Sequence, residues 1–504
     1  MRVLNSLRLP LLVLLICLPV ALLASGVKLP GTDRTLSARP VSVPSGDYEL
    51  AWFHTTTNGA TWERFVAGVD LAVQKTPDLT VDESRAFGDQ TYDVPEVVIG
   101  RPDRPGKLRI RWYKTTNDVT VRDWVRALAQ RAPAPLAVIG GGSSDRAREL
   151  AVAMAGQSTW IGDNPLLFFT TASSDYVTLE QPDAQGNTLK KLVDVYDNRT
   201  FRFCFSNEQM AKAVLNFVWS RPDLRPAEPQ YWPLAAIGSG LTAALDRPTV
   251  YNLSWADDPY SEDLSTCFKT RVVARRAPRA EVFNFQLPFS IGGFSRPNRG
   301  EAAAAEFVVK DVTTRMPQRS LIVLPTVAPS ARRVLMRICE DLPDADHRLV
   351  AVNGDGFSVN VIYRDGSFAW PIDALPIPLV VFAHNNPVAW AESGKAAEHP
   401  TGTDDVLHYA EMMRIVTDGV FPAAGDSAVS ANILADRLYS RSPSFFDSDG
   451  NRIGGTGEYI VELRPKKDDA PATLNVYTRN DRSDWIPVDR LQLPAGAKRK
   501  GAEE

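Results

Sequence analysis

Short apolar runs alternate with amphipathic segments along most of this chain, and that alternation restricts the fold more than any other feature. YELAWFHT (48–55), KLRIRWY (107–113), PLAVIGG (135–141) and PLLFFTTAS (165–173) are separated by helical spacing near 61–74, 121–130 and 144–155. Runs of this length between amphipathic helices predict parallel strands covered on both faces. A second series follows FRFCFS (201–206). Its strands are TVYNLSW, EVFNFQLPF, RSLIVLPTV, HRLVAVNG and PIPLVVFAH, and its helices lie near 207–219, 259–270, 301–315 and 330–340. Two α/β lobes are therefore expected, with hydrophilic or Pro-rich inserts at 178–199 and 220–247 as surface hairpins or loops.

The 504-residue chain is long enough for two cores, and 44% hydrophobic with 23% charged residues is a globular balance. A formal charge of −4 with both signs interspersed offers no field for nucleic acid or an anionic membrane. Arg2 and Arg8 precede the apolar run Leu9–Ala24, which Ser25 and Gly26 follow. This reads as an export signal or N-terminal anchor over 1–26, with a flexible linker at 27–46. Cys204, Cys267 and Cys339 lie in apolar patterns; a Cys204–Cys267 bridge is left open. The histidines show no metal-ligand spacing, so neither a metal nor a cofactor is expected.

The turn in PLAVIGGGSSDRARELAVAMA (135–155) leaves three occupants to weigh. A dinucleotide phosphate needs G-x-G-x-x-G, and GGGSSDRA lacks the third glycine. A nucleophilic serine needs G-x-S-x-G, and Gly141-Gly142-Ser143-Ser144-Asp145 has no closing glycine. A carboxylate fits better, because a helix N-terminus presents unpaired amides and about half a positive charge. Ser143 or Ser144 would cap that helix, and the next strand also ends in hydroxyls at Thr170, Thr171, Ser173 and Ser174. DSDGNRIGGTGE (447–458) has calcium-loop spacing, but Arg452 occupies the position needing glycine, which favours a hairpin turn.

The order of VIGGGSSDRARELA, PLLFFTTASSD, FRFCFSNEQMAKAV, WADDPYSEDLSTCF, LVAVNGDGF and SFFDSDGNRIGGTGEYIVEL resembles that of type I periplasmic solute-binding proteins, the leucine/isoleucine/valine-binding receptors of ABC transporters. The resemblance implies two Rossmann-like lobes with parallel central sheets and a hinge between them. It implies lobe one at 47–205 with 385–446, lobe two at 206–384 with 447–490, and a charged tail at 491–504. By the same resemblance Ser143, Ser144 and Ser174, with backbone groups of Ala172 and Ser173, hold a ligand carboxylate. Tyr260 closes over the ligand, and Asp355 meets its ammonium. The implied protein is a non-enzymatic, extracytoplasmic receptor for a small amino-acid-like solute, read by a permease or membrane sensor. A ligand-free module on the same fold is the alternative, and a serine hydrolase using His384 is another, since His384 follows a strand end.

Overall fold

A computed structural model describes residues 37–492 apart from 89–92, 183–185, 197, 227–248, 257, 275–280, 288–298, 315–318, 357–376, 388–402, 423–427, 441–457, 466–471 and 481–483. The expectations for 1–26, the 227–247 part of the second insert, the loop at 447–457 and the terminal charge run lie outside the described residues. Among the described residues no helix is long and apolar enough to cross a membrane.

The first sheet has seven strands in the order β2-β3-β4-β1-β5-β6-β9. They are β1 (Tyr48–Thr55), β2 (Thr80–Arg85), β3 (Glu96–Gly100), β4 (Leu108–Thr115), β5 (Ala137–Gly140), β6 (Leu166–Phe169) and β9 (Thr200–Arg202). Strands β7 (Tyr176–Thr178) and β8 (Leu189–Lys191) form a separate antiparallel hairpin that opens just before the 178–199 insert and returns within it. Helices α1 (Gly59–Gln74), α2 (Val121–Ala129) and α3 (Ser144–Ala155) connect the parallel strands. Strand β1 shows why its run is apolar throughout. Successive side chains point to opposite faces, so Leu50 and Trp52 enter one core with α1 while Ala51 and Phe53 enter the other with α2 and α3. Parallel register sets Trp52 opposite Trp112, with ring centroids 5.6 Å apart.

The second sheet has eight strands in the order β11-β10-β12-β13-β14-β15-β16-β17. These are β10 (Thr249–Trp255), β11 (Glu281–Leu287), β12 (Ser320–Val323), β13 (Leu349–Val352), β14 (Leu379–Ala383), β15 (Tyr459–Arg464), β16 (Thr473–Arg479) and β17 (Trp485–Gln492). On one face pack α4 (Asn207–Ser220) and α5 (Pro259–Ala274), and on the other α6 (Arg299–Thr314) and α7 (Ala328–Asp341). The short α8 (Ala345–Arg348) leads into β13. The chain then returns to the first lobe, where α9 (Thr403–Val420) and α10 (Ala431–Ser440) bury Met412, Met413, Val416 and Leu434 against α1 and β1. This is the two-lobed α/β layout that the resemblance implies.

Two details depart from the sequence reading. The sheets are mixed, since β2 and β3 pair antiparallel at one edge and β15–β17 form an antiparallel meander. Short hairpin connections allow this where βαβ crossovers do not. The Cys204–Cys267 bridge is not formed: neither residue is in a disulfide. Cys204 is buried with its Sγ donating to the Ala172 carbonyl at 3.4 Å, whereas Cys267 on α5 faces Asp175.

Candidate interlobe binding site

A cavity of about 580 Å³ opens between the lobes at the carboxyl ends of their parallel strands, where ligands bind in open α/β folds. Lobe one supplies His54 at the end of β1, Asn58, Thr61 and Arg64 at the start of α1, the β5–α3 turn Gly142–Arg146, and Thr171 after β6. Helix α9 adds Asp405 and Tyr409. Lobe two supplies Asp258 and Tyr260 at the start of α5, Val327, Asp355 and Gly356, and Phe382–His384 at the end of β14.

The glycines bring α3 down onto the sheet. A Cβ at Gly140 would lie 2.5 Å from Leu150 Cδ2. Gly141 has φ of 72°, and a Cβ there would lie 2.9 Å from the Phe169 ring. An L side chain is strained in that conformation. Gly141→Ala is therefore expected to destabilise the fold by about 2 kcal/mol, read as a lowered urea midpoint with unchanged slope; an unchanged midpoint would refute the strain argument.

The predicted residues divide between the cavity wall and the layer behind it. Ser143, Ser144, Tyr260 and Asp355 line the cavity. Ser143 stands at the N-cap of α3 without a side-chain cap bond. The Ser144 hydroxyl, 2% exposed, accepts from the Ser174 amide at 3.3 Å. Ala172, Ser173 and Ser174 are fully buried and outside the lining. The Ser174 hydroxyl donates to the Pro259 carbonyl of lobe two at 3.1 Å, and the Ser173 carbonyl accepts from the Asn207 amide at 2.7 Å. At that strand end Thr171 is the hydroxyl residue on the wall, where its Oγ1 donates to the Gly142 carbonyl at 3.2 Å.

Both signs of charge meet in the cleft. Arg64 pairs with Asp405 at 3.1 Å and donates to Thr61 Oγ1 at 3.1 Å, while Arg146 is exposed. Asp355 holds His384 Nε2 at 2.9 Å, and the imidazole is flanked by Phe205 and Phe382. Burial, and next the Asp355 carboxylate, push the Tyr260 phenol well above its ordinary range, so it stays protonated. Burial, and then Asp145, raise Asp258 to about 7. Burial, and then Arg146, lower His54 to about 4 and keep it neutral. Neither His54 nor His384 hydrogen-bonds Ser143 or Ser144: His384 is engaged with Asp355 and His54 with Thr55. The geometry thus lacks the nucleophile–base bond of a serine hydrolase.

Sequence reasoning did not select His54, Arg64, Arg146, Asp258, Asp405 or Tyr409. Two of these were within reach, since His54 is the penultimate residue of YELAWFHT and Asp258 lies three residues beyond the end of TVYNLSW.

Behind the wall, Asp175, Asp263 and Cys267 bring ligand-type atoms within 4.8 Å of one another. Their oxygens are already engaged. Asp263 accepts from the amides of Asp175 at 2.8 Å and Tyr176 at 3.1 Å and from Asn207 Nδ2 at 2.8 Å; Asp175 accepts from the Glu208 amide at 2.7 Å. This cluster is a tie between the lobes.

No family model matches the chain, and no curated protein matches it in sequence. Among solved structures it is similar to an ABC transporter substrate-binding protein from Desulfitobacterium hafniense, at 14% identity and a TM-score of 0.48, covering 88% of this chain and 99% of that one. A Leu complex of an ABC transporter substrate-binding protein from the same organism gives 14% identity and a TM-score of 0.46 over the same shares. A fatty acid ABC transporter substrate-binding protein from Thermomonospora curvata gives 9% identity and a TM-score of 0.47, covering 91% of this chain and 95% of that one.

Proposed function

We propose that this protein is an extracytoplasmic solute-binding receptor whose lobes close on a small amino-acid-like ligand, the closed form being read by an ABC-type permease or a membrane sensor. One observation carries the reading: a cavity of about 580 Å³ between two lobes, lined by Arg64, Arg146, Asp145 and Asp405 of lobe one and by Asp258 and Asp355 of lobe two, so that both signs of charge face a guest. Its size is that of ordinary small-molecule sites, and a zwitterion buried there needs a partner for each charge. The amino end of α3 with Ser143, Ser144, Thr171 and Arg146 suits the carboxylate. Asp355 and Asp258 suit the ammonium, and Tyr260 closes over the ligand. Ala172, Ser173 and Ser174 support that wall from behind. The export pattern of Arg2, Arg8 and Leu9–Ala24 supports the location. The role is binding without catalysis, and closure by hinge motion is its mechanical output.

A ligand-free module on the same fold is the second reading. It is favoured by Ser144 and Ser174 bonding each other and by Ser174 reaching Pro259 of the opposite lobe. A thermal-shift screen with the free L-amino acids decides between the two. A bound ligand raises the unfolding temperature in a concentration-dependent way, and Asp355→Asn should abolish the shift. Absence of any shift in the unmodified protein would favour the ligand-free module.

A further inference from the structure

His54 is buried to all but 8% and lines the cavity. Its ring stacks on Trp52 with centroids 5.1 Å apart and planes 20° from parallel, which fixes its orientation. The Thr55 amide donates to His54 Nδ1 at 2.9 Å. A ring nitrogen that accepts carries no proton, so in the neutral imidazole the proton is on Nε2. Nε2 meets the β5–α3 turn, because a Cβ at Gly142 would stand 3.3 Å from it. Among the described residues no group accepts from that Nε2–H. This donor is accessible from the cleft beside the amino end of α3, where a guest can meet it, and burial, and then Arg146, hold the ring uncharged.

Building on the receptor reading, we propose that His54 is a specificity-determining donor: its Nε2–H hydrogen-bonds an anionic oxygen of the ligand at Gly142, so that the site selects a carboxylate over a neutral amide. The geometry gives the imidazole a single task. Nδ1 is taken by the backbone, one face is packed on Trp52, and Nε2–H is the polar atom left to meet a guest. A glycine at 142 leaves room for that guest, which explains why the third residue of the glycine run lacks a side chain although its φ is not in the left-handed region.

The test is calorimetric titration of the full chain with the L-amino acids and their amides. His54→Phe keeps the ring stack and removes the donor. It should weaken binding of the best amino acid about 10- to 100-fold, the range for a hydrogen bond to a charged group, and erase the preference for acid over amide. His54→Gln, which retains an N–H donor, should restore part of the affinity. Gly142→Ala should weaken binding comparably with His54 intact, by covering Nε2. Nitrogen NMR of the unliganded protein provides a readout that needs neither substitution, and should show the proton on Nε2. Wild-type affinity in His54→Phe, or a proton on Nδ1, would overturn the assignment alone. Failure of the unmodified chain to bind any of the compounds would overturn the receptor reading, and the assignment with it.

Discussion

Asp258→Asn is expected to stabilise the protein above pH 7. Asp258 caps α5 through Oδ1, which accepts from the Tyr260 amide at 3.2 Å, and asparagine serves as a cap equally well. What the variant lacks is the charge. Burial, and next the Asp145 carboxylate across the cleft, raise this carboxyl from 3.8 to about 7. Between those pH values the folded chain holds a proton that the unfolded chain has released. Stability therefore falls as pH rises through that window and reaches its low plateau above 7. With allowance for partial exposure of the group, the loss is of order 2–3 kcal/mol. Urea unfolding at pH 4 and pH 8 should show the variant close to the parent at pH 4 and more stable at pH 8. A difference that does not change with pH would sink the argument. The same titration bears on binding. A cationic ligand end placed against Asp258 favours the ionised carboxylate, so binding near pH 7 should release a proton, seen as a calorimetric heat that depends on the buffer.

The elements were legible because their side-chain periods are unambiguous. In β1, β5 and β6 every residue from Glu49 to His54, Ala137 to Gly140 and Leu166 to Phe169 is buried, and two-sided burial leaves a continuous apolar run. Strand β2 was not legible. TVDESR lies at a sheet edge with no residue fully buried, so its composition matches that of a loop. The site was legible to the level of strand ends and no further. Thr171 and Ser174 look alike in TTASSD, yet one lines the cavity and the other reaches Pro259. That choice depends on where the second lobe sits, which the local sequence does not encode. Arg64, Asp405 and Tyr409 enter the cleft from α1 and α9, whose residues are far apart in the chain and meet only through the return crossing. The cysteine pairing failed similarly, since the Cys204 sulfur turns to Ala172 within lobe one and the Cys267 sulfur to Asp175.

The tie behind the cleft leads to the second large effect. Asp263 on α5, 8% exposed, gathers donors from both lobes: the amides of Asp175 and Tyr176 from lobe one, and Asn207 Nδ2 from the helix that follows the crossing. Burial, and then Asp175, raise its carboxyl only to about 6, so at pH 7 it is ionised and accepts all three. Asp263→Ala strips those donors of their acceptor and should cost about 2–4 kcal/mol. Asp263→Asn, whose amide offers a single acceptor oxygen, should fall between the parent and the alanine variant. Because the lost bonds join the lobes, the effect should not be confined to global stability. Amide exchange should accelerate at Asp175 and Tyr176 and at the start of α5, while the buried strands β1 and β5 keep their protection relative to the global unfolding limit. Uniform acceleration across lobe one would mean that Asp263 stabilises the core and does not hold the lobes together. Selective acceleration would identify this carboxylate as a restraint on hinge closure, built on Asp175 and Tyr176, which directly follow the strand-end residues that the resemblance assigns to the ligand.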